Sequence, residues 1–342
     1  MLRHVMSNNR VQPRRSVAIG LALTAAMTLS ALSGCSALGG SDDSAASSGS
    51  GSLEMSKIKV SVMPTIDLAP FHLATKNGYF KQEGLDVEVV NAASGQASLQ
   101  KLLGGEVEIA YSSYTPFFIA KSKGAGDIRF VSDASSAAPK STEIVAMPNG
   151  PVKGVKDLAG KKIAITAENT ICDTLTKSVM RDNGVDFSGV KWVSLPFPSI
   201  AAAVKNGEVD AGFLTEPFIT QAAKTVGAVP ILDTATGATQ DFPTAGYGAL
   251  GKFTDGNPKT VAAFQRAMQK ATTESADRSK IEPLMVEFAK IDPDTASLTT
   301  LLTFQSTLDA RRLQRVPDLM QQFGTIQQRV DVTPMIAQQA KS

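Results

Sequence analysis

Gly78-Tyr79-Phe80-Lys81-Gln82-Glu83-Gly84-Leu85-Asp86-Val87-Glu88-Val89-Val90 decides the fold of this chain, because it writes out a helix that stops, a tight turn and a strand that begins. Apolar residues at helical spacing over 71–80 meet Gly78, where a missing Cβ lets the backbone turn back. Gly84 supplies a second turn, and the β-rich run 85–90 reads as a buried strand. Upstream, 58–63 reads as a strand and 64–70 as the loop leading into the helix. Downstream, 97–103 reads as a helix ending at Gly104-Gly105, and 107–111, 128–131 and 144–147 as strands that complete a first group. Strands alternating with helices imply a mostly parallel sheet covered on both faces, an α/β architecture.

The same alternation restarts after Lys153-Gly154, with strands at 162–166, 190–195 and 209–214 and helices at 173–183 and 200–206. Gly105-Glu106-Val107-Glu108 is echoed by Gly207-Glu208-Val209-Asp210, and the strand at 58–63 by the one at 163–166. The two halves therefore read as topologically similar lobes. A further strand at 244–251 is followed by a stretch that reads as wholly helical, over 258–275, 281–289, 296–312 and 316–327, packed around the first lobe.

The N-terminus sets the compartment. Arg3, Arg10, Arg14 and Arg15, with no acidic residue among them, precede an apolar run over 17–32. That run is shorter than the roughly 20 residues of a membrane-spanning helix and has the order of a secretion signal. Leu32-Ser33-Gly34-Cys35 then places a cysteine behind a leucine and two small residues, the point where a bacterial lipoprotein is cut and its thiol acylated. Arg14-Arg15 leaves the choice between general and twin-arginine export open. The Ser, Gly and Ala-rich segment up to residue 55 reads as a flexible tether.

Composition narrows the function further. The four leader arginines exceed the formal net charge of +2 of the whole chain, so the remainder is slightly acidic and carries no footprint for nucleic acid. Cys35 and Cys172 are the two cysteines, and acylation of the first leaves no intramolecular disulfide. With His4 in the leader, His72 stands alone, so neither a metal site nor a cofactor is expected, and no nucleophile–base pair or phosphate-cradling loop is evident.

The segment 78–90, together with Ser94-Gly95, residues 105–109, Asp157-Leu158-Ala159-Gly160-Lys161-Lys162, residues 207–211 and Glu216-Pro217, resembles the substrate-binding proteins of ABC importers of the nitrate/sulfonate/taurine and thiamine-pyrimidine type. The resemblance runs from residue 58 to about 250. It implies a two-lobed periplasmic-binding-protein-like fold of type II, each lobe a mostly parallel sheet flanked by helices, joined by two crossovers around a ligand cleft. On that basis residues 1–34 are the signal peptide, 35–55 the lipidated cysteine and tether, 56–147 and 244–342 the first lobe, and 148–243 the second. The implied function is that of a monomeric, non-enzymatic receptor on the outer face of the cell membrane, handing a small organic ligand to a membrane permease. A pyrimidine-synthesising enzyme of the same fold and a sensory receptor without a permease are the alternatives; such enzymes depend on a cysteine-rich motif absent here.

Loops after the carboxyl ends of parallel strands face the cleft in such sheets. Thr65 and Asp67 fall there, as helix caps or ligand contacts. So do Ser94 and Gln96 at a helix start, Ser112 and Tyr114 after a strand, and Ser135. In the second lobe Thr166, Thr170 and Cys172 surround a helix start, Phe197 sits on a loop, and Glu216 is the strongest charged candidate. His72 reads as structural, and Arg311, Arg312 and Arg315 as a solvated basic face. The cleft loops hold Asp67, Glu168 and Glu216 but no Lys or Arg, which favours an amine, a pyrimidine-like ring or an amine-bearing sulfonate over a simple anion.

Overall fold

The computed structural model describes residues 52–340; the leader, Cys35 and the tether as far as residue 51 lie outside the described residues. In chain order the strands are β1 (Lys57–Val62), β2 (Asp86–Asn91), β3 (Ile109–Ser113), β4 (Ile128–Ser136), β5 (Thr142–Ala146), β6 (Lys162–Ile165), β7 (Lys191–Ser194), β8 (Ala211–Thr215), β9 (Val229–Asp233), β10 (Pro243–Leu250) and β11 (Thr303–Phe304). They form two sheets, ordered β11-β4-β10-β3-β1-β2 and β7-β6-β8-β5-β9. β1 pairs in parallel with β2 and β3, and β6 with β7 and β8. β10 runs antiparallel between β3 and β4, and β5 antiparallel between β8 and β9. Apart from the edge strand β11, the two sheets share one strand order, and the sequence echo falls on matching elements, β1 with β6 and the turns before β3 and β8.

The antiparallel strand inside each sheet, β10 in the first and β5 in the second, is the one that enters from the other lobe, and β11 adds a further antiparallel strand at the edge of the first. That corrects the domain boundary, since residues 142–146 belong to the second sheet, whereas the first lobe was expected to extend to 147. The chain crosses at 137–141 and returns at 234–242, where Ala137 N donates to Phe242 O (2.9 Å) and Thr234 N to Thr142 O (3.0 Å).

Gly78 does break the helical run, with φ of 70°, leaving helices Ala69–Lys76 and Tyr79–Gln82 on either side. β2, expected as buried, is an edge strand that among the described residues pairs with β1 alone, and leaves Val89 40% exposed. Its Glu88 instead meets Lys57 and Lys59 at 3.5 and 3.6 Å, charges that discourage further pairing at the edge. The C-terminal part is not wholly helical. The expected helix 296–312 is split into Pro293–Leu298, β11 and the start of Ala310–Gln322, because Asp309 accepts from Arg311 N (2.8 Å) and Arg312 N (3.0 Å) and opens a new helix there. The end of the tether is likewise docked: Glu54 Oε2 accepts from Lys259 N (3.1 Å) and Thr260 N (3.0 Å), capping the helix Pro258–Glu274.

Alternation along β10 builds both faces of the first sheet. Tyr247 points to one, among Phe71, Phe264 and Tyr111. Gly246 and Gly248 face the other, where the rings of Tyr114 and Phe117 lie so close that a Cβ on Gly246 would overlap the Tyr114 ring and hydroxyl. Beneath them Phe130 is fully buried, with Tyr114, Phe117 and Phe118 edge-on at 5.0, 5.6 and 5.5 Å. Arg312 does not lie on a solvated face. It forms an ion pair with Asp133, which is fully buried and also accepts from the Tyr114 hydroxyl (2.7 Å). Arg315 donates to the carbonyls of Ala238, Gln240 and Asp241 on the return crossover.

Candidate functional site

A cavity of about 50 Å3 is walled by both lobes, with Thr65, Asp67, Tyr111, Ser113 and Thr244 from the first and Thr142, Thr166, Thr170, Cys172, Phe197 and Thr215 from the second among its lining. Strand ends deliver most of these residues. β3, β5, β6, β8 and β10 all bring a terminus to this point, and helix Ile171–Asp182 starts on it. Among the described residues, no Lys, Arg or His lines the cavity.

Thr65 and Asp67 reach the cavity, and neither acts as the cap that the sequence also allowed. Thr65 Oγ1 lies 3.2 Å from the Tyr111 hydroxyl, and Asp67 Oδ2 accepts from Ser135 Oγ (3.1 Å). Asp67 Oδ1, buried, has no hydrogen-bond partner among the described residues. Burial raises the Tyr111 and Tyr247 hydroxyls well above the usual phenol value, and the negative charge of Asp67 beside them adds to it. On the other wall, Thr170 N donates to Asp173 Oδ1 (2.8 Å) and its hydroxyl to Ala167 O (2.8 Å), which fixes the helix start. Cys172 Sγ lies 3.4 Å from Thr166 Oγ1; burial pushes its thiol up, while contacts with Thr166 pull the other way. Phe197 stacks on Phe218 at 5.4 Å.

The remaining sequence candidates miss the cavity mostly by one residue. β3 extends to Ser113, so alternation turns Tyr111 and Ser113 to the cavity and Ser112 away from it. Tyr114 then starts helix Tyr114–Ser122 and is buried in the core, donating to Asp133. Gly95 lines the cavity, while Ser94 caps its helix by accepting from Ala97 N (3.1 Å) and Gln96 is exposed. Ser135 lies within β4 and supports Asp67 from behind. Glu216 is the clearest displacement: Thr215 lines the cavity, and Glu216 points away to accept from Thr220 N (3.1 Å), Thr220 Oγ1 (2.8 Å) and Thr300 N (3.1 Å). It ties the end of β8 to the C-terminal segment. Thr142 and Thr244 escaped sequence reading because they sit on the crossover strands, whose entry points no local pattern marks. His72 lies outside this lining, stacked on Phe288 at 4.2 Å, and burial lowers it to about 4.

Glu216 shares a groove of about 600 Å3 with Glu143, Asp233, Lys140 and Lys224. Burial, then the charges of Asp233 and Glu216, raise Glu143 from 4.5 to about 7, with Lys140 opposing. The folded state therefore holds the proton more tightly than the unfolded chain, and stability from this group is full below pH 4.5 and declines as pH rises towards 7. Glu143→Gln is expected to remove up to about 3 kcal/mol of that decline and raise the melting temperature at pH 8. Calorimetric scans of both proteins between pH 5 and 8 check this; parallel profiles would contradict it.

The family model described as NMT1/THI5 like matches residues 65–279. A putative aliphatic sulfonates-binding protein of Bacillus subtilis is 25% identical over 245 residues, covering 70% of this chain and 69% of its own. A formylaminopyrimidine-binding protein of Halalkalibacterium halodurans is 24% identical over 180 residues, covering 53% and 51%. Among solved structures, the alkanesulfonate-binding protein of Xanthomonas axonopodis pv. citri, bound to MOPS, superposes with a TM-score of 0.72 at 18% identity over 83% of this chain and 99% of that one. The periplasmic nitrate-binding protein of Synechocystis PCC 6803 gives 0.63 at 18% identity, over 72% and 70%. These superpositions establish the two-lobed α/β fold of periplasmic binding proteins. With a family model matching well over half its length, the chain belongs to the NMT1/THI5-like family.

Proposed function

We propose that this protein is the solute-binding component of an ABC importer, held by an acylated Cys35 on the outer face of the cell membrane, where it captures a small organic molecule and presents it to a permease. The observation that carries this reading is a single cavity supplied with hydroxyls from both lobes, Thr65 and Thr244 on one side and Thr170 and Thr215 on the other. A ligand bonded to both walls favours the closed arrangement by its differential contacts, and only a closed form distinguishes loaded from empty receptor for a partner. The binding-protein names of its relatives support the same reading. An enzymatic role is disfavoured by chemistry: Cys172 is buried with its thiol pushed up, and His72 lies outside the cavity lining.

The test compares culture media of cells with and without this gene by mass spectrometry. Cells lacking it are expected to leave a specific small organic solute unconsumed, and that solute is expected to raise the melting temperature of the purified protein in proportion to its concentration. No difference in the media, together with no stabilising solute, would overturn the reading. Separately, Cys35→Ser is expected to move the protein from the membrane fraction to the soluble one, since a protein held by acyl chains leaves when they are absent. Retention of the variant in the membrane fraction would reject the anchor.

A further inference from the structure

Five carboxylates of the described residues are buried: Asp67, Asp133, Glu143, Asp173 and Glu216. Asp133 has Arg312 and the Tyr114 hydroxyl, Asp173 has Lys177 at 2.6 Å, and Glu216 has three donors. Glu143 opens onto the groove it shares with Lys140. Asp67 differs from all of them. It is 7% exposed, lies on the wall of the interlobe cavity, makes no ion pair among the described residues, and has neutral hydroxyls beside it, those of Ser135, Tyr111 and Tyr247, in place of a counter-charge. A carboxylate withdrawn from water without a counter-charge costs several kcal/mol, an arrangement that persists where something else supplies the charge. The described residues of the cavity lining supply none, since no basic side chain is among them.

We propose that Asp67 anchors a positively charged nitrogen of the ligand, so that the cleft selects small organic cations, amines or amidines, over anions of similar size. The assignment rests on the solute-binding reading above and names its specificity determinant. Ser135, donating to Oδ2, holds the carboxylate in place on the cavity wall. The threonine hydroxyls of the other wall then take the ligand's remaining polar groups, and a sulfonate or nitrate would meet Asp67 as a like charge.

The test uses the purified protein and matched probes that differ in one charged nitrogen: propylamine against propanol, benzamidine against benzamide, taurine against propanesulfonate. At least one cation is expected to raise the melting temperature more than its counterpart. In Asp67→Asn the preference is expected to vanish, with a loss of about ten- to a hundredfold in affinity for that cation. The same variant, measured without any probe, is expected to melt at or above the wild-type temperature, because a buried charge without a partner has been removed. A lower melting temperature for probe-free Asp67→Asn, as loss of a structural carboxylate would give, overturns the assignment. Equal protection by both members of every pair overturns it as well. Protection by propanesulfonate equal to or stronger than that by taurine, with none by propylamine or benzamidine, would overturn the cation assignment while leaving the solute-binding reading intact.

Discussion

Arg312→Met is expected to destabilise the protein by about 3–5 kcal/mol, because it leaves Asp133 ionised and unpaired in a fully buried position. The effect reaches beyond one ion pair. Asp133 sits on β4, Tyr114 starts the helix that packs on that sheet, and Arg312 belongs to the last helix, Ala310–Gln322; a single carboxylate holds all three. Arg312 also donates to Ser136 Oγ (2.6 Å), one residue before the chain crosses to the second lobe. Loss of this anchor is expected to lower the melting temperature on the order of 10 °C. The double variant Arg312→Met with Asp133→Asn is expected to recover most of the loss, since the charge that needed a partner is gone. A neutral single variant, or a double variant as unstable as the single one, would show that the pair is not what holds the helix.

Phe130→Ala is expected to cost about 3–5 kcal/mol by opening a cavity that its neighbours cannot fill. Tyr114, Phe117 and Phe118 present their edges to this ring, and Tyr114 and Phe117 are already pressed against the glycines of β10. Inward relaxation is therefore blocked on that side. Urea titration should give a lower midpoint with an unchanged slope, the mark of lost stability with the same surface exposed on unfolding. Because Phe130 lies outside the cavity lining, ligand affinity at temperatures where the variant is folded should match the wild type. A variant that keeps its midpoint would mean the aromatic cluster repacks freely.

Much of the fold is legible in the sequence, for a physical reason. Gly78 and Gly84 punctuate the chain where apolar periodicity changes, and the echo between residues 105–108 and 207–210 marks the same turn before β3 and β8. What stayed hidden is decided by distant partners. No local pattern says that Thr142–Ala146 pairs with the second sheet, that β2 ends at an edge, or that a short strand, Thr303–Phe304, interrupts the helical stretch before Asp309. The lining of the interlobe cavity was legible to within one residue. Thr65, Asp67, Thr166, Thr170, Cys172 and Phe197 sit where the strand ends deliver them. Ser112, Tyr114 and Glu216 fell on the wrong side because alternation makes a shift of one residue a change of face.

Amide hydrogen exchange on the purified protein, with and without the solute that cells lacking this gene leave in their medium, tests the central claim most directly. One ligand bridging the lobes is expected to slow exchange at once around Thr65 to Ala69 in the first lobe and around Thr170 to Thr174 in the second, with little change at the edge strand β2. Protection confined to one lobe, or spread over surfaces away from the cavity, would contradict capture between them.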